Sequence, residues 1–266
     1  MVIRAYYWKP ATRRVLLRKP HFRVGNAGDL FVEDLLRWAY PTEKLRLAES
    51  GGSRLLAVGS IAHRALPGDV LAGVGVKGSE LPTHWPVGAE VIGARGPRSL
   101  EALERAGADI SGVRWLGDPG LLVGQVFPDL VDILPRSGQI GVIPHFRERG
   151  LIGNLREEAK FIDIDDTAYN VARAIAECEV VYSSSLHGII WAHALGRPVL
   201  PVVPLTPESP FKYHDYFESI GAEYSPAPDF GVALRSEPPA SLDVRGVIRA
   251  IEMPSADELR TRGVIR

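Results

Sequence analysis

Short apolar runs alternate with stretches of helical periodicity along the whole chain. Runs rich in Val, Ile and Leu predict strands at Val2–Trp8, Leu55–Val58, Val70–Val74, Glu90–Ala94, Val113–Leu116, Gln139–Ile143, Phe161–Ile164, Val180–Tyr182 and Pro198–Val203. Between them, apolar residues recurring every three or four positions predict helices over Leu30–Ala39, Pro97–Ala106, Thr167–Cys178, Leu186–Leu195 and Phe211–Ile220. Two more follow at Leu242–Ile251 and Ala256–Arg262. Strands that alternate with helices imply an α/β architecture with mainly parallel sheets. Helix starts carry the expected residues. Gly96-Pro97 puts proline at a first helical position, and Asp165-Asp166-Thr167 offers caps ahead of Tyr169, Val171 and Ile175.

The pattern breaks at Asp129–Ser137, flanked and interrupted by Pro128, Pro135 and Gly138. The break predicts an N-terminal α/β domain over residues 1–135 and a C-terminal α/β domain over residues 136–245. A helical segment, residues 246–266, is expected to pack back on the first domain. Two Rossmann-like domains leave a cleft between them, the usual place for a ligand in such folds.

Composition narrows the function classes. Apolar residues make up 45% and charged residues 24% of 266, ordinary globular values that exclude long disorder. The net charge of −1 argues against nucleic acid bound through a global basic field. Cys178 is the single cysteine, so neither an intramolecular disulfide nor a multi-cysteine zinc site can form. The opening Met1–Trp8 lacks the features of a signal peptide, and no apolar run is long enough to span a bilayer. The chain reads as cytoplasmic, with no metal and no bound cofactor expected.

Several motifs carry candidate chemistry. Gly25-Asn26-Ala27-Gly28-Asp29 enters a helix. Its small residues let backbone amides approach a ligand, and Asp29 is either a cap or a proton acceptor. Gly73-Val74-Gly75-Val76-Lys77-Gly78 has the spacing of a dinucleotide fingerprint. Pro82 and Pro86 follow within the next eight residues and forbid the helix that would receive a pyrophosphate, so the segment reads as a loop. Arg95 and Arg98 flank the start of a helix, against its dipole, and need an anion or carboxylate to compensate them. Asp118 sits in a turn after a strand, where turn chemistry alone also explains it. His145 and Arg147 follow another strand end and pair an imidazole with a fixed cation. Ser183, Ser184 and Ser185 close a strand and open a helix whose first turn holds His187, where anions bind. The serine-hydrolase elbow is absent. Each of these segments also has a purely structural reading, as a tight turn, a solvated ion pair or a core histidine.

In this order, the pieces resemble the polysaccharide pyruvyl transferase family. The resemblance rests on Gly25–Asp29, Ala94–Ser99, Leu116–Pro119, Ser184-Ser185-Leu186-His187-Gly188, Gly196-Arg197-Pro198 and Lys212–Phe217, and covers roughly residues 20–221. It is closest to the bacterial exopolysaccharide branch. The resemblance implies a fold like that of the two-domain GT-B glycosyltransferases and phosphoenolpyruvate as donor. It further implies a lipid-linked oligosaccharide or glycan precursor as acceptor, met by peripheral contact with the inner membrane face. Many members carry Arg-Leu-His where this chain has Ser185-Leu186-His187, so another cation must serve, from Arg95, Arg98, Arg147 or Lys212. His145 also stands where relatives often have arginine.

Ketal formation from an enol phosphate needs an acid at the methylene carbon, clamps for carboxylate and phosphate, and a base for the hydroxyls. His187 is the expected proton donor, with Asp29 or His145 as base, or the roles exchanged. Arg147, Lys212 and Ser183–Ser185 are expected to hold the anion. Asn26, Gly28, Arg95, Arg98 and Asp118 complete the expected substrate contacts. Two rival readings are a GT-B nucleotide-sugar glycosyltransferase and a non-catalytic carbohydrate-binding or assembly protein that uses Trp8, Trp85, Trp115 and Trp191.

Overall fold

The computed structural model describes residues 1–10, 22–78, 81–150 and 159–266. Alternation of strand and helix produces two parallel sheets among them. The first runs in the order β2-β1-β3-β4-β5-β6. Its strands are β1 (Val2–Ala5), β2 (Lys44–Leu47), β3 (Leu55–Leu56), β4 (Val70–Ala72), β5 (Glu90–Ala94) and β6 (Trp115–Leu116). The second runs in the order β10-β9-β7-β8, from β7 (Ile140–Ile143), β8 (Lys160–Phe161), β9 (Val180–Ser183) and β10 (Val199–Pro201). Every strand pair in both sheets is parallel. The mixed α/β class with parallel sheets is therefore as the sequence implies.

The helices are α1 (Ala27–Ala39), α2 (Pro97–Arg105), α3 (Val123–Val126), α4 (Ala168–Ala176), α5 (Leu186–Ala194), α6 (Phe211–Ser219), α7 (Phe230–Arg235), α8 (Arg245–Ala250) and α9 (Ala256–Thr261). Pro97 stands in the first turn of α2, where its missing N–H costs nothing. Thr167 caps α4, its hydroxyl accepting from the Asn170 amide at 3.2 Å. The first helix begins at Ala27, three residues before the Leu30 predicted, because Asn26 rather than Asp29 is the cap residue. Asp29 is thus a first-turn residue with its carboxylate free for other partners. No helix forms over residues 81–89, as Pro82 and Pro86 require; Ser79 and Glu80 of the same loop lie outside the described residues.

One hydrophobic core runs through both sheets. It joins Ile3, Phe31, Leu35 and Leu55 of the first to Ile143, Val181, Ile189 and Trp191 of the second. Helix α5 lies at its centre, every residue from Leu186 to His193 buried, with Trp191 edge-on to Phe31 of α1 at 5.7 Å between ring centroids. A helix apolar all round belongs inside a protein, and this one does.

Two polar links also tie the sheets together. The Asp165 carboxylate, beyond β8, accepts from the consecutive backbone amides of Arg23, Val24 and Gly25 at 2.8 to 3.0 Å. Burial alone would raise its pKa, but these three amides and Arg149 hold it down at about 2. The Ala27 amide then donates to the Ile164 carbonyl at 2.9 Å, so the chain entering α1 is fixed to the second sheet. The second link joins Arg95, at the end of β5, to Asp215 on α6. Both side chains are fully buried; Arg95 Nε donates to Asp215 Oδ2 at 2.8 Å, and the Ser99 amide and hydroxyl donate to the same carboxylate. Gly96 permits this approach, since a Cβ there would lie 2.0 Å from the Asp215 carbonyl oxygen.

The last residues lie beside the first sheet. Ile265 forms an antiparallel bridge to Ile3, and the Trp115 indole donates to the Glu252 carbonyl at 3.0 Å.

Candidate functional site

In parallel sheets all strands end on the same side, and the loops that leave those ends build the site. Here the ends of both sheets contribute to one cavity of about 280 Å³. Asn26 and Asp29 reach it from the start of α1, Arg95 from the end of β5, Asp118 from the turn after β6, and His145 and Arg147 from the end of β7. Ser185 and His187 come from the start of α5, and Lys212 from α6. Nine of the thirteen residues expected to act thus converge on one cavity, from segments up to 186 positions apart in the chain.

His187 stands in the first turn of α5, nearly buried, and its Nε2 has no hydrogen-bond partner among the described residues. Burial, helped by the cations of Lys212 and Arg95, lowers its pKa to about 3, so the ring is neutral. Its Nδ1 side rests against Gly28, where a Cβ would lie 2.1 Å away. Gly28 therefore leaves room for the imidazole. Gly28→Ala should destabilise the protein by ~1–3 kcal/mol, the usual result of forcing atoms into a packed site, despite alanine's better helix propensity. Thermal melting and turnover of the variant check this; wild-type values for both would show that the ring moves aside freely.

Asp29 has the opposite character. Burial pushes its carboxyl up to about 7, although Lys212 and the amide of the Asn26 side chain, which donates to Asp29 Oδ2 at 2.6 Å, pull it down. Asp118 is likewise raised to about 6 by burial, against the pull of Arg95 and of the Gly120 amide that donates to Oδ1 at 2.8 Å. His145 is nearly buried, and burial together with Lys212 lowers its pKa to about 3 against the pull of Glu208. Its Nδ1 also has no hydrogen-bond partner among the described residues. The site thus holds a carboxyl group that is part protonated near neutrality beside two imidazoles that are not. Such divergence within one cavity is how proteins prepare an acid and a base together.

Besides Gly28, which packs against the His187 ring, three expected contacts lie outside the cavity lining. Arg98 does not line the cavity; its guanidinium holds Glu218 of α6 through Nε at 2.9 Å and Nη2 at 2.6 Å, which is what offsets a cation at the start of α2. Ser183 Oγ shares its one proton between the Ser185 carbonyl at 2.9 Å and the Ile143 carbonyl of β7 at 3.1 Å, and accepts from the Ser185 amide at 3.1 Å. Ser184 Oγ donates to the buried Glu148 at 2.7 Å and accepts from the His145 amide at 2.8 Å. The tight junction between β9 and α5 uses these two hydroxyls to satisfy buried backbone and a buried acid, leaving Ser185 alone to line the cavity. Arg95 does line it, but its three donor nitrogens already serve Asp215, Ser60 Oγ and the Val76 carbonyl. Gly75 makes that possible, since a Cβ there would fall 2.0 Å from the guanidinium carbon.

Sequence reasoning missed Glu208, which lines the cavity with a side chain only 3% exposed. It accepts from Arg147 Nη1 at 2.6 Å and from Lys212 Nζ at 2.9 Å, and lies 3.6 Å from His145 Nε2. The i to i+4 spacing from Lys212 was the available signal. Tyr6, Ile61, His63, Arg64, Lys77 and Phe146 also line the cavity without having been expected there, as does Trp8, an aromatic of the carbohydrate-binding reading. No helix among the described residues is long and apolar enough to cross a membrane, and no three His, Cys, Asp or Glu residues among them are grouped to hold a metal ion.

Comparison with known proteins points in the same direction. Residues 88–204 match the family model of polysaccharide pyruvyl transferases. That span contains Arg95, Asp118, His145, Arg147 and His187, whereas Asn26, Gly28, Asp29 and Lys212 lie outside it. An uncharacterised protein of Acanthamoeba polyphaga mimivirus is 33% identical over 177 residues, 62% of this chain and 60% of that protein's length. The succinoglycan biosynthesis protein ExoV of Rhizobium meliloti is 25% identical over 239 residues, 84% of this chain and 67% of ExoV. A functionally uncharacterised protein from Klebsiella pneumoniae aligns in structure over 82% of this chain and 87% of its own, with a TM-score of 0.46 and 14% identity, too loosely to carry an argument.

Proposed function

On the premise of the polysaccharide pyruvyl transferase match over residues 88–204, we propose that this protein is a pyruvyltransferase of polysaccharide biosynthesis. It would take the enolpyruvyl group of phosphoenolpyruvate onto two hydroxyls of one sugar, releasing phosphate. The sugar would belong to a lipid-linked oligosaccharide or other glycan precursor, met in the cytoplasm at the inner membrane face. The two sheets would serve as the halves of a GT-B-like cleft.

One observation carries the reading. A carboxyl raised to about 7, a neutral imidazole with an unpartnered nitrogen, and the cations Arg147 and Lys212 share one cavity. The pKa shifts favour one of the two assignments left open by sequence. Asp29, part protonated, gives its proton to the methylene carbon, and positive charge develops at the central carbon. His187 takes the proton of the first hydroxyl as its oxygen bonds to that carbon. The C–O bond to phosphate then breaks, and the imidazolium returns its proton to the departing oxygen. The second hydroxyl closes the ketal and restores the proton of Asp29. Arg147 and Lys212 balance the donor's negative charge throughout. A donor carrying both a carboxylate and a phosphate beside these groups raises both pKa values, keeping Asp29 protonated and making His187 a better base. The cavity also sits at the small end of ligand sites, roughly 300–1,000 Å³, which suits a three-carbon donor and one sugar ring better than a nucleotide sugar.

Arg147→Ala should raise the donor KM and lower kcat/KM by ~2–4 kcal/mol, as for other charge-assisted contacts. An unchanged donor KM removes Arg147 from the donor site. The function itself is tested by incubation with phosphoenolpyruvate and a panel of glycosyl acceptors, scored by the mass gain of one pyruvate ketal and by phosphate release. Phosphoenolpyruvate should also protect the protein against heat, by ~2.7 kcal/mol at a hundredfold excess over Kd, whereas UDP- and GDP-sugars should not. Protection by a nucleotide sugar alone would point to glycosyl transfer.

A further inference from the structure

We infer that the cradle formed by Arg147 and Lys212 is a carboxylate subsite, and that Glu208 fills it from within until the ligand's own carboxylate displaces it. The inference rests on the donor reading above and adds to it both an orientation and a built-in competitor.

The geometry is that of a bound ligand. One oxygen of Glu208 meets Arg147 Nη1 at 2.6 Å, and the other meets Lys212 Nζ at 2.9 Å. A carboxylate straddling two cations from two different segments, with each oxygen on its own donor, is the contact a small organic acid would make. Its side chain is almost wholly buried in the cavity, while Arg147 is 43% exposed, so the subsite opens to solvent on the arginine side. The cations contribute to charge recognition only if an anion lies between them, and the chain supplies one of its own.

The segment that carries Glu208 is firmly held. Pro204, Pro207 and Pro210 fix its backbone, and the buried Glu148 accepts from the Thr206 amide at 3.1 Å and from its hydroxyl at 3.3 Å. Glu148 is itself held by Ser184, one residue before the cavity-lining Ser185. The exchange therefore needs rotation of the glutamate side chain about its three bonds rather than opening of the loop. With the carboxylate end of the donor placed here, its phosphate is left to the side of Arg95, Lys77 and the first turn of α5. Arg147 and Lys212 would thus serve in place of the arginine that many relatives carry where this chain has Ser185.

Pyruvate binding to the purified protein, followed by NMR titration, tests this apart from any catalysis. Glu208→Gln keeps the shape and removes the charge. It should tighten pyruvate binding by about tenfold or more, because two cations then lack a carboxylate. Glu208→Asp keeps the charge but is one methylene too short to reach both cations, and should tighten binding by a smaller factor. Glu218→Gln removes one negative charge from the exposed pair with Arg98, outside the cavity, and should leave pyruvate binding unchanged. Unchanged or weaker binding in both folded Glu208 variants overturns the inference and makes Glu208 a residue that merely holds the cations in place. A shift of equal size in Glu218→Gln overturns it too, as a general charge effect. Failure of phosphoenolpyruvate turnover with tightened pyruvate binding would instead sink the pyruvyl transfer reading and leave the carboxylate subsite standing.

Discussion

His187→Gln lowers kcat by ~10²–10⁴-fold and changes donor affinity far less, the effect expected when a proton-transferring group is lost while its shape is kept. The imidazole is neutral, its pKa lowered to about 3 by burial, and its Nε2, without a partner among the described residues, is the atom that would receive the sugar proton. Glutamine can hydrogen-bond there but cannot carry the proton away. The complementary change, Asp29→Asn, removes the acid and should cost a similar factor. The two differ in their pH dependence. Asp29 is protonated below about 7, so wild-type kcat/KM falls as pH rises through that value, and Asp29→Asn loses this alkaline limb along with most of the rate. Steady-state kinetics between pH 5 and 9 on both variants decide the matter. Near-normal turnover in His187→Gln would pass the role to His145, and failure of that variant to bind donor would make His187 a binding residue.

The second large effect concerns stability. Asp215→Asn should lower unfolding stability by ~3–5 kcal/mol, the usual cost of leaving one partner of a buried ion pair without the other. Arg95 and Asp215 are both fully buried, and the carboxylate also receives two hydrogen bonds from Ser99. Asparagine fits the same space, so packing is kept and the loss reports the uncompensated guanidinium. Because Asp215 shares α6 with Lys212, this variant should weaken donor binding as well as lower the melting temperature. Chemical denaturation gives the first quantity and titration with phosphoenolpyruvate the second. A loss below about 1 kcal/mol would mean that Arg95 finds water or another acid when its partner is gone.

Most of the architecture was legible because buried parallel strands read as apolar runs and their helices as amphipathic stretches. What was missed has a physical reason. Strand β2 lies at the sheet edge with Lys44 and Arg46 pointing outward, so half of its residues read as solvated loop. The apolar run predicts β1 to Trp8, three residues beyond its end at Ala5, because Tyr6 and Trp8 line the cavity rather than extend the sheet. Among site residues, Asp29 and His187 were visible through their places at helix starts after small or hydroxyl residues. Glu208, Asp215 and Asp165 were not. An acid in a loop or on a helix looks solvated until its partner is known, and each of these has partners far along the chain. Conversely, Ser183 and Ser184 looked like ligand donors because sequence cannot show that a turn will consume their hydroxyls.

The clasp of Asp165 on the turn at residues 23–25 also sets an order of assembly. The amide groups of Arg23, Val24 and Gly25 donate to a carboxylate 140 to 142 residues downstream. During synthesis the ribosome delivers the first sheet long before that carboxylate exists, at roughly 5–20 residues per second. For those seconds the turn leading into α1 must keep its amides in water, and α1 must wait for the core that α5 brings. The first half therefore emerges as a partly formed α/β layer whose apolar helix face is still uncovered, the state in which a nascent chain most needs a chaperone. The cavity needs Ser185 and His187 at the start of α5 and the core needs its apolar residues, so a chain halted before α5 would lack both.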